Sequence, residues 1–88
     1  MIPITECKKT EYKKIEPYVT KDGSIIRELM HPSIHGNSNQ SLAEATVQPG
    51  GKTLLHKHLL TEEIYYIIEG SGIMTLGSEE FEVKKGDS

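Results

Sequence analysis

The sequence predicts an all-β domain, built as a sandwich or barrel of short strands. Short β-forming runs of similar length recur along the 88 residues, turn residues separate them, and no stretch has a helical period. The length allows one domain, and a chain this short buries only about 60 to 65% of its unfolded surface. Because hydrophobic residues make up 35% of the chain and Trp is absent, we expect a lean core.

The polar start of the chain predicts an arm that precedes the barrel. Residues 1–16 are rich in Lys and Glu and contain few apolar anchors, so we expect an N-terminal arm there. One short strand is expected within it, at residues 2–5. The barrel is expected to occupy residues 17–88, and no repeat or linker divides that region.

Turn-forming residues divide the barrel region into strands. Asp22-Gly23 between β-forming residues is the strongest short hairpin signal, Pro49-Gly50 suits a type II turn, and Gly77-Ser78 predicts another tight turn. Residues 31–40 (HPSIHGNSNQ) lack periodicity and predict a loop. The expected strands are residues 18–20, 24–30, 42–48, 53–58, 63–69, 73–76 and 81–84.

The stretch 50–70 (GGKTLLHKHLLTEEIYYIIEG) contains the residues best able to bind a metal ion. His56 and His58 are two positions apart, so in a strand their side chains point to the same face. Two neutral imidazoles and a nearby carboxylate can occupy three positions around a divalent transition metal. Glu62 and Glu63 both follow the histidines closely enough to supply that carboxylate.

This stretch resembles the first motif of the cupin superfamily: Gly, five residues, His-x-His, three or four residues, Glu, six residues, Gly. The fixed positions are filled by Gly50, His56, His58, Glu63 and Gly70. Glu63 is preferred to Glu62 because only Glu63 leaves six residues before Gly70. The resemblance implies a small antiparallel jelly-roll barrel with His56, His58 and Glu63 as metal ligands.

The second cupin motif is represented only by its beginning, Gly86-Asp87, and its third histidine is absent. The resemblance therefore implies a barrel that is incomplete at its C-terminal end. We expect the 88 residues to be a fragment of a longer protein. The alternative is a partner that covers the open sheet edge by strand exchange or edge pairing.

The resemblance implies a metal-binding protein, with Zn, Fe, Mn, Ni, Co or Cu as the divalent ion. The leading hypothesis is a metal-dependent enzyme of the oxygenase or isomerase type that acts on a small organic substrate. Tyr65 shares the face of Glu63 and is a candidate substrate-binding residue, although core packing explains it equally well. The alternatives are a non-catalytic binding or sensing cupin and a structural dimer module. A further alternative is that His56, His58 and Glu63 are vestigial and hold no metal.

Composition argues against several other classes of function. The net charge is −3, the isoelectric point is near 5.8 and no basic cluster is present, which argues against nucleic-acid binding. No apolar run fits a signal peptide or a membrane span. Cys7 is the only cysteine, so no intrachain disulfide can form, and we expect a cytoplasmic protein in which Cys7 is inert.

Two further expectations concern the loop histidines and the oligomeric state. His31 and His35 are expected to be solvated loop residues rather than ligands of the metal. A homodimer is expected from the lean core, the N-terminal arm and the apolar run at residues 65–68, which predicts burial on both faces of its strand.

Overall fold

A computed structural model describes residues 8–54 and 61–88 of the chain. The chain divides into two compact units, Met1–Leu55 and His56–Ser88. The described strands form two antiparallel sheets, one of three strands and one of two, and the described helices are single turns. The all-β antiparallel prediction is therefore confirmed, although the strands described do not close a barrel. None of the described helices is long and apolar enough to cross a membrane.

Two predicted strands lie wholly or mainly outside the described residues. The first is the strand predicted at residues 2–5 of the arm. The second is the histidine strand predicted at residues 53–58, of which the structure describes only residues 53–54. Those two residues are not assigned to a strand.

Three strands make the sheet of the first unit in the order β1, β2, β3: Tyr18–Val19, Ile25–Met30 and Leu42–Thr46. Both neighbouring pairs are antiparallel, and the β1–β2 pair is the one that the hairpin prediction requires. The β2–β3 register shifts between Glu28 and Met30, and within this bulge the Leu29 carbonyl oxygen accepts a hydrogen bond from the Thr10 hydroxyl at 2.6 Å. The bulge therefore binds the N-terminal segment to the sheet.

The loop between β1 and β2 confirms the predicted hairpin. The Thr20 carbonyl accepts from the Gly23 N–H at 3.0 Å, and the Thr20 N–H donates to the Ser24 carbonyl at 2.9 Å. Gly23 has a φ of 85°, whereas no described residue other than glycine has a positive φ. Lys21-Asp22-Gly23 is thus a three-residue loop with glycine in the left-handed position.

A single 3₁₀ turn, Tyr12–Lys14, is held against the sheet by Arg27. The Arg27 Nη1 donates to the Ile15 carbonyl at 2.6 Å, and its guanidinium lies 4.2 Å from the centroid of the Tyr12 ring. The Tyr12 hydroxyl donates to Glu44 Oε1 at 2.7 Å. These contacts connect the N-terminal segment to both β2 and β3.

A one-turn α-helix, α1 (Pro32–His35), lies where the composition predicted a loop. The His31 Nδ1 accepts a hydrogen bond from the Ser33 N–H at 3.1 Å and so caps the helix. Pro32 occupies its first position, and Gly36 ends it with a φ of 80°. The loop prediction is wrong for these four residues, because a histidine cap is not signalled by composition.

Two strands make the sheet of the second unit: β4 (Ser71–Leu76) and β5 (Glu79–Lys84). They pair antiparallel, and Leu76 opposes Glu79 across the two-residue loop Gly77-Ser78. Gly77 has a φ of 64°, which glycine adopts without strain. The predicted turn and both predicted strands are confirmed, each strand beginning two residues earlier than expected.

The strand predicted at residues 63–69 is not assigned as one. The Ile67 N–H donates to the Asp87 carbonyl at 2.9 Å, and the Ile67 carbonyl accepts from the Gly86 N–H at 2.8 Å. These bonds join one residue to two consecutive residues, which is not the pattern of a regular antiparallel ladder. The strand prediction is therefore wrong, because this segment is bound at a turn rather than along a neighbouring strand.

Burial along this segment alternates from residue to residue. Ile64, Tyr66 and Ile68 are 85%, 66% and 60% exposed, whereas Tyr65 is 43% exposed and Ile67 is half-buried. A period of two places odd and even residues on opposite faces of an extended chain. The even-numbered face is exposed in the single chain, so its burial against a second sheet is not observed, and its burial against a second subunit stays a prediction.

Within residues 8–54 and 61–88, no hydrophobic residue is buried, and Ser24 is buried at 6% exposure. The lean core predicted from composition is confirmed for this part of the chain. Because burial of apolar surface contributes most of the stability of ordinary domains, hydrogen bonds at turns have greater relative weight here.

The Asp22 carboxylate accepts hydrogen bonds at both of its oxygens. Its Oδ1 accepts from the Thr20 hydroxyl at 2.5 Å, the Ser24 hydroxyl at 2.6 Å and the Ser24 N–H at 3.0 Å. Its Oδ2 accepts from the Leu54 N–H at 2.9 Å. The Ser24 and Thr20 donors, followed by the Leu54 amide, hold the pKa of Asp22 far below its ordinary value.

We expect Asp22→Asn to lower the free energy of unfolding at pH 7, because an amide cannot accept hydrogen bonds at both ends. A carboxyl with a lowered pKa stabilises the fold fully above its unfolded pKa of about 3.9, and this contribution is lost as the pH falls further. The difference between wild type and variant should therefore narrow below about pH 4. Urea unfolding of both proteins at pH 7, 5 and 3 measures this difference in the free energy of unfolding.

The matched control for this experiment is Glu80→Gln, which neutralises an exposed acid on β5. Its unfolding midpoint at pH 7 should equal that of the wild type. A difference between Asp22→Asn and wild type that stays constant from pH 7 to pH 3 would contradict the role given to the ionised carboxylate.

Candidate functional site

Glu63 and Tyr65 are the predicted site residues that the structure describes, and it brings them together. The Glu63 carboxylate interacts with the Tyr65 hydroxyl and raises its pKa. The alternating burial of the segment agrees with the expectation that the two side chains share a face. The carboxylate of the motif glutamate therefore has a defined neighbour, two residues away in the sequence.

The environment of Tyr65 favours the neutral phenol. Partial burial of the ring, and then the hydrogen bond to Glu63 and the negative charge of its carboxylate, raise the pKa of Tyr65 to about 12. The hydroxyl is therefore protonated at neutral pH and acts as a hydrogen-bond donor. A carboxylate that accepts a hydrogen bond from this hydroxyl keeps further lone pairs for a second partner.

The other two predicted metal ligands, His56 and His58, lie outside the described residues. Among the residues that are described, no three His, Cys, Asp or Glu side chains lie close enough together to hold a metal ion. The predicted set combines one described carboxylate with two imidazoles that are not described. The metal site therefore stays a prediction.

The loop histidines have structural partners. The His31 Nδ1 accepts from the Ser33 N–H and lies 2.8 Å from the Ser33 hydroxyl, while the His35 Nδ1 accepts from the His31 N–H at 3.0 Å. Both Nδ1 atoms are thus used within and beside α1. The two histidines therefore stabilise a helical turn, which corrects the expectation that they are merely solvated loop residues.

An open cavity of about 400 Å³ lies in the first unit and contains none of the motif residues. It is lined by Lys9, Thr10, Glu11, Lys14, Ile15 and His35. Lys14 is ion-paired with Glu11 at 2.9 Å, and the side chains of both are well exposed. The cavity therefore adds no residue to the predicted metal site.

Sequence reasoning missed the role of Asp87 in its turn. The Lys84 N–H donates to Asp87 Oδ2 at 2.9 Å, and the Asp87 N–H donates to the Lys84 carbonyl at 3.0 Å. The available signal was Gly86-Asp87 directly after a β-forming run, a composition typical of side-chain-closed turns. This turn also contacts Ile67, on the segment that carries Glu63 and Tyr65.

Comparison with known proteins identifies the family. The sequence profile described as Cupin domain matches residues 43–88, slightly more than half of the chain. The chain belongs to the cupin family. The matched region contains every position of the first cupin motif, and the resemblance inferred from that motif is confirmed.

This cupin is similar to two longer proteins. It is 70% identical over 80 residues to the uncharacterized protein MJ1618 of Methanocaldococcus jannaschii, an alignment that covers 91% of this chain and 64% of that protein. It is 31% identical over 74 residues to the polyketide synthase CurC of Streptomyces cyaneus, which covers 84% of this chain and 47% of that protein. No solved structure matches the chain significantly.

We expect Glu63→Gln to lower the pKa of Tyr65 from about 12, while partial burial of the ring keeps it above the ordinary value of 10.0. The substitution removes the negative charge and the charge-assisted hydrogen bond, both of which disfavour the phenolate. A pH titration followed by NMR of the Tyr65 ring measures the change. Glu62→Gln, at the neighbouring acid, should leave the pKa at about 12; an equal pKa in Glu63→Gln would contradict the contact.

Proposed function

We propose that this cupin binds a divalent transition metal through His56, His58 and Glu63 and uses it as a metal-dependent enzyme on a small organic substrate. The observation that carries the proposal is the complete first motif, within which the Glu63 carboxylate is contacted by Tyr65. A hydrogen bond to a ligating carboxylate is a common feature of metal sites, since it fixes the orientation of the ligand.

The donor set fits such an ion. Two imidazole nitrogens and one carboxylate oxygen suit Zn, Fe, Mn, Ni, Co or Cu, and they leave coordination positions open for a substrate. When bound, the metal supplies Lewis-acid or oxygen-binding chemistry, as expected of an enzyme of the isomerase or oxygenase type. The residues of the chain hold the ion, orient the carboxylate and present a hydroxyl beside it.

Tyr65 is proposed as the residue that contacts the substrate. With a pKa near 12, its hydroxyl is neutral at physiological pH, and the oxygen retains lone pairs for a donor on the bound molecule. Tyr65 is 43% exposed, so a ligand can reach it. The name of the similar Streptomyces cyaneus protein, a polyketide synthase, supports an organic molecule as the substrate.

We expect purified, chelator-treated protein to take up near-stoichiometric metal when Fe, Mn, Ni, Co, Cu or Zn is added. His56→Ala, His58→Ala and Glu63→Ala should each lose it, because removing one of three protein donors leaves too few to retain the ion. Elemental analysis after gel filtration measures bound metal per chain.

The chain offers matched controls for each ligand. Glu62→Ala removes the adjacent acid, and His35→Ala removes a histidine whose Nδ1 is bonded within a helical turn. Both should retain metal. The proposal is contradicted by a wild type that takes up no metal, or by equal loss in Glu62→Ala and Glu63→Ala.

We also propose that the chain forms a homodimer through the even-numbered face of the segment described above. Ile64, Tyr66 and Ile68 lie on that face at 85%, 66% and 60% exposure. A two-fold axis allows such a strip to pack against its own copy, which removes apolar surface from both chains. This arrangement supplies the burial that the described residues do not achieve alone.

Sedimentation velocity at micromolar concentration should show a dimer for the wild type and a monomer for Tyr66→Glu, because a buried unpaired carboxylate opposes association. Thr75→Glu places the same charge on an exposed position of β4 and should leave the dimer intact. A monodisperse wild-type monomer would refute this interface.

A further inference from the structure

The turn that follows β5 is closed by a side chain as well as by the backbone. Asp87 Oδ2 accepts from the Lys84 N–H at 2.9 Å, and the Asp87 N–H returns a hydrogen bond to the Lys84 carbonyl at 3.0 Å. Gly86 lies between them with a φ of 93°, a conformation that residues with a side chain rarely adopt. Asp87 is half-buried, although most residues of the second unit are exposed.

This turn holds the segment that carries the motif glutamate. The Ile67 N–H donates to the Asp87 carbonyl at 2.9 Å, and the Ile67 carbonyl accepts from the Gly86 N–H at 2.8 Å. Both backbone groups of Ile67 are therefore bonded to two consecutive residues of one turn. The turn restrains the position of Ile67 across a separation of about 20 residues in the sequence, which local backbone preferences cannot do.

Ile67 lies close along the chain to the candidate ligand. Tyr65 lies two residues before it and Glu63 four residues before it, so all three have the same parity along the segment whose burial alternates. Side chains at alternate positions of an extended segment keep a common direction. A restraint at Ile67 therefore limits rotation and displacement of the whole run 63–67.

We propose that the Gly86-Asp87 turn is a positioning element for Glu63, because it fixes the backbone at Ile67 and thereby the run that carries Tyr65 and Glu63. Asp87 contacts neither the metal nor the substrate in this account; it acts through the turn. The inference rests on the proposed function, since it assigns the turn a role in metal binding. It assigns a role to Gly86 and Asp87, which are not among the three predicted metal ligands.

The test compares Asp87→Ala with Asp87→Asn in the full chain. Alanine removes the acceptor for the Lys84 N–H, whereas asparagine keeps an acceptor oxygen at that position. In Asp87→Ala we expect faster hydrogen exchange at the Ile67 amide, and Co²⁺ affinity about tenfold weaker, the size typical of losing support for a ligand. In Asp87→Asn both quantities should remain within about twofold of the wild type.

Two further variants separate positioning from general loss of stability. Arg27→Ala removes the contacts to Ile15 and Tyr12 in the first unit and should lower the unfolding midpoint without weakening Co²⁺ binding by the folded protein. Gly86→Ala takes the place of Asp87→Ala if that variant does not fold. It strains the turn because Gly86 has a positive φ, and the added Cβ contacts no neighbouring atom.

The outcomes distinguish the positioning role of the turn from the proposed metal binding. Unchanged Co²⁺ affinity in Asp87→Ala, together with faster exchange at Ile67, would overturn the positioning role alone. Unchanged exchange at Ile67 in that variant would also overturn it. A wild type that binds no Co²⁺ would overturn the proposed function, and the positioning role would fail with it.

Discussion

Carboxylates that accept backbone N–H groups fix the turns on which the described structure depends. Asp22 accepts from Ser24 and, across the first unit, from Leu54. Asp87 does the same at Lys84, and its own backbone bonds Ile67. An ionised acceptor makes a stronger hydrogen bond than a neutral one, and each of these bonds joins segments that are separated in sequence or reverses the chain. These hydrogen bonds thereby hold turns and separated segments in place in the described part of the chain.

The lack of a buried apolar core in the described residues explains why these polar contacts carry such weight. Small domains bury a low fraction of their surface, and the described part of this chain buries no hydrophobic residue. The clusters around Arg27 and Asp22 hold the first unit by hydrogen bonds and one cation–π contact. A proposed partner on the exposed face of Ile64, Tyr66 and Ile68 would add the missing apolar burial.

Local sequence signals predicted the turns and the family well. Three turns could be predicted because each needs a residue with a positive φ, which glycine adopts without strain. They are the turns at Asp22-Gly23, Pro49-Gly50 and Gly77-Ser78. Gly50 has a φ of 79°, and the Gly51 N–H bonds the Gln48 carbonyl at 2.8 Å, as a type II turn predicts. The expectation that Tyr65 and Glu63 share a face followed from the alternation of side chains in an extended chain.

The features that sequence reasoning missed depend on contacts between distant or unusual partners. A histidine cap at His31 uses an imidazole where Ser or Asp is the common signal, so α1 was not expected. The run after Glu63 is rich in β-formers, but its hydrogen bonds go to the turn at Asp87 and not to a strand. Propensity describes a residue's preference and cannot identify which partner the folded chain supplies.

The measurement that tests the central claim most directly is X-ray absorption spectroscopy of the zinc-loaded protein at the metal edge. Two imidazoles and one carboxylate predict a shell of nitrogen and oxygen at about 2.0 to 2.1 Å, with the outer-shell scattering of two histidine rings. His56→Ala should retain no zinc and therefore give no such scattering. A zinc shell without imidazole scattering in the wild type would contradict the assignment of His56, His58 and Glu63 as the metal site.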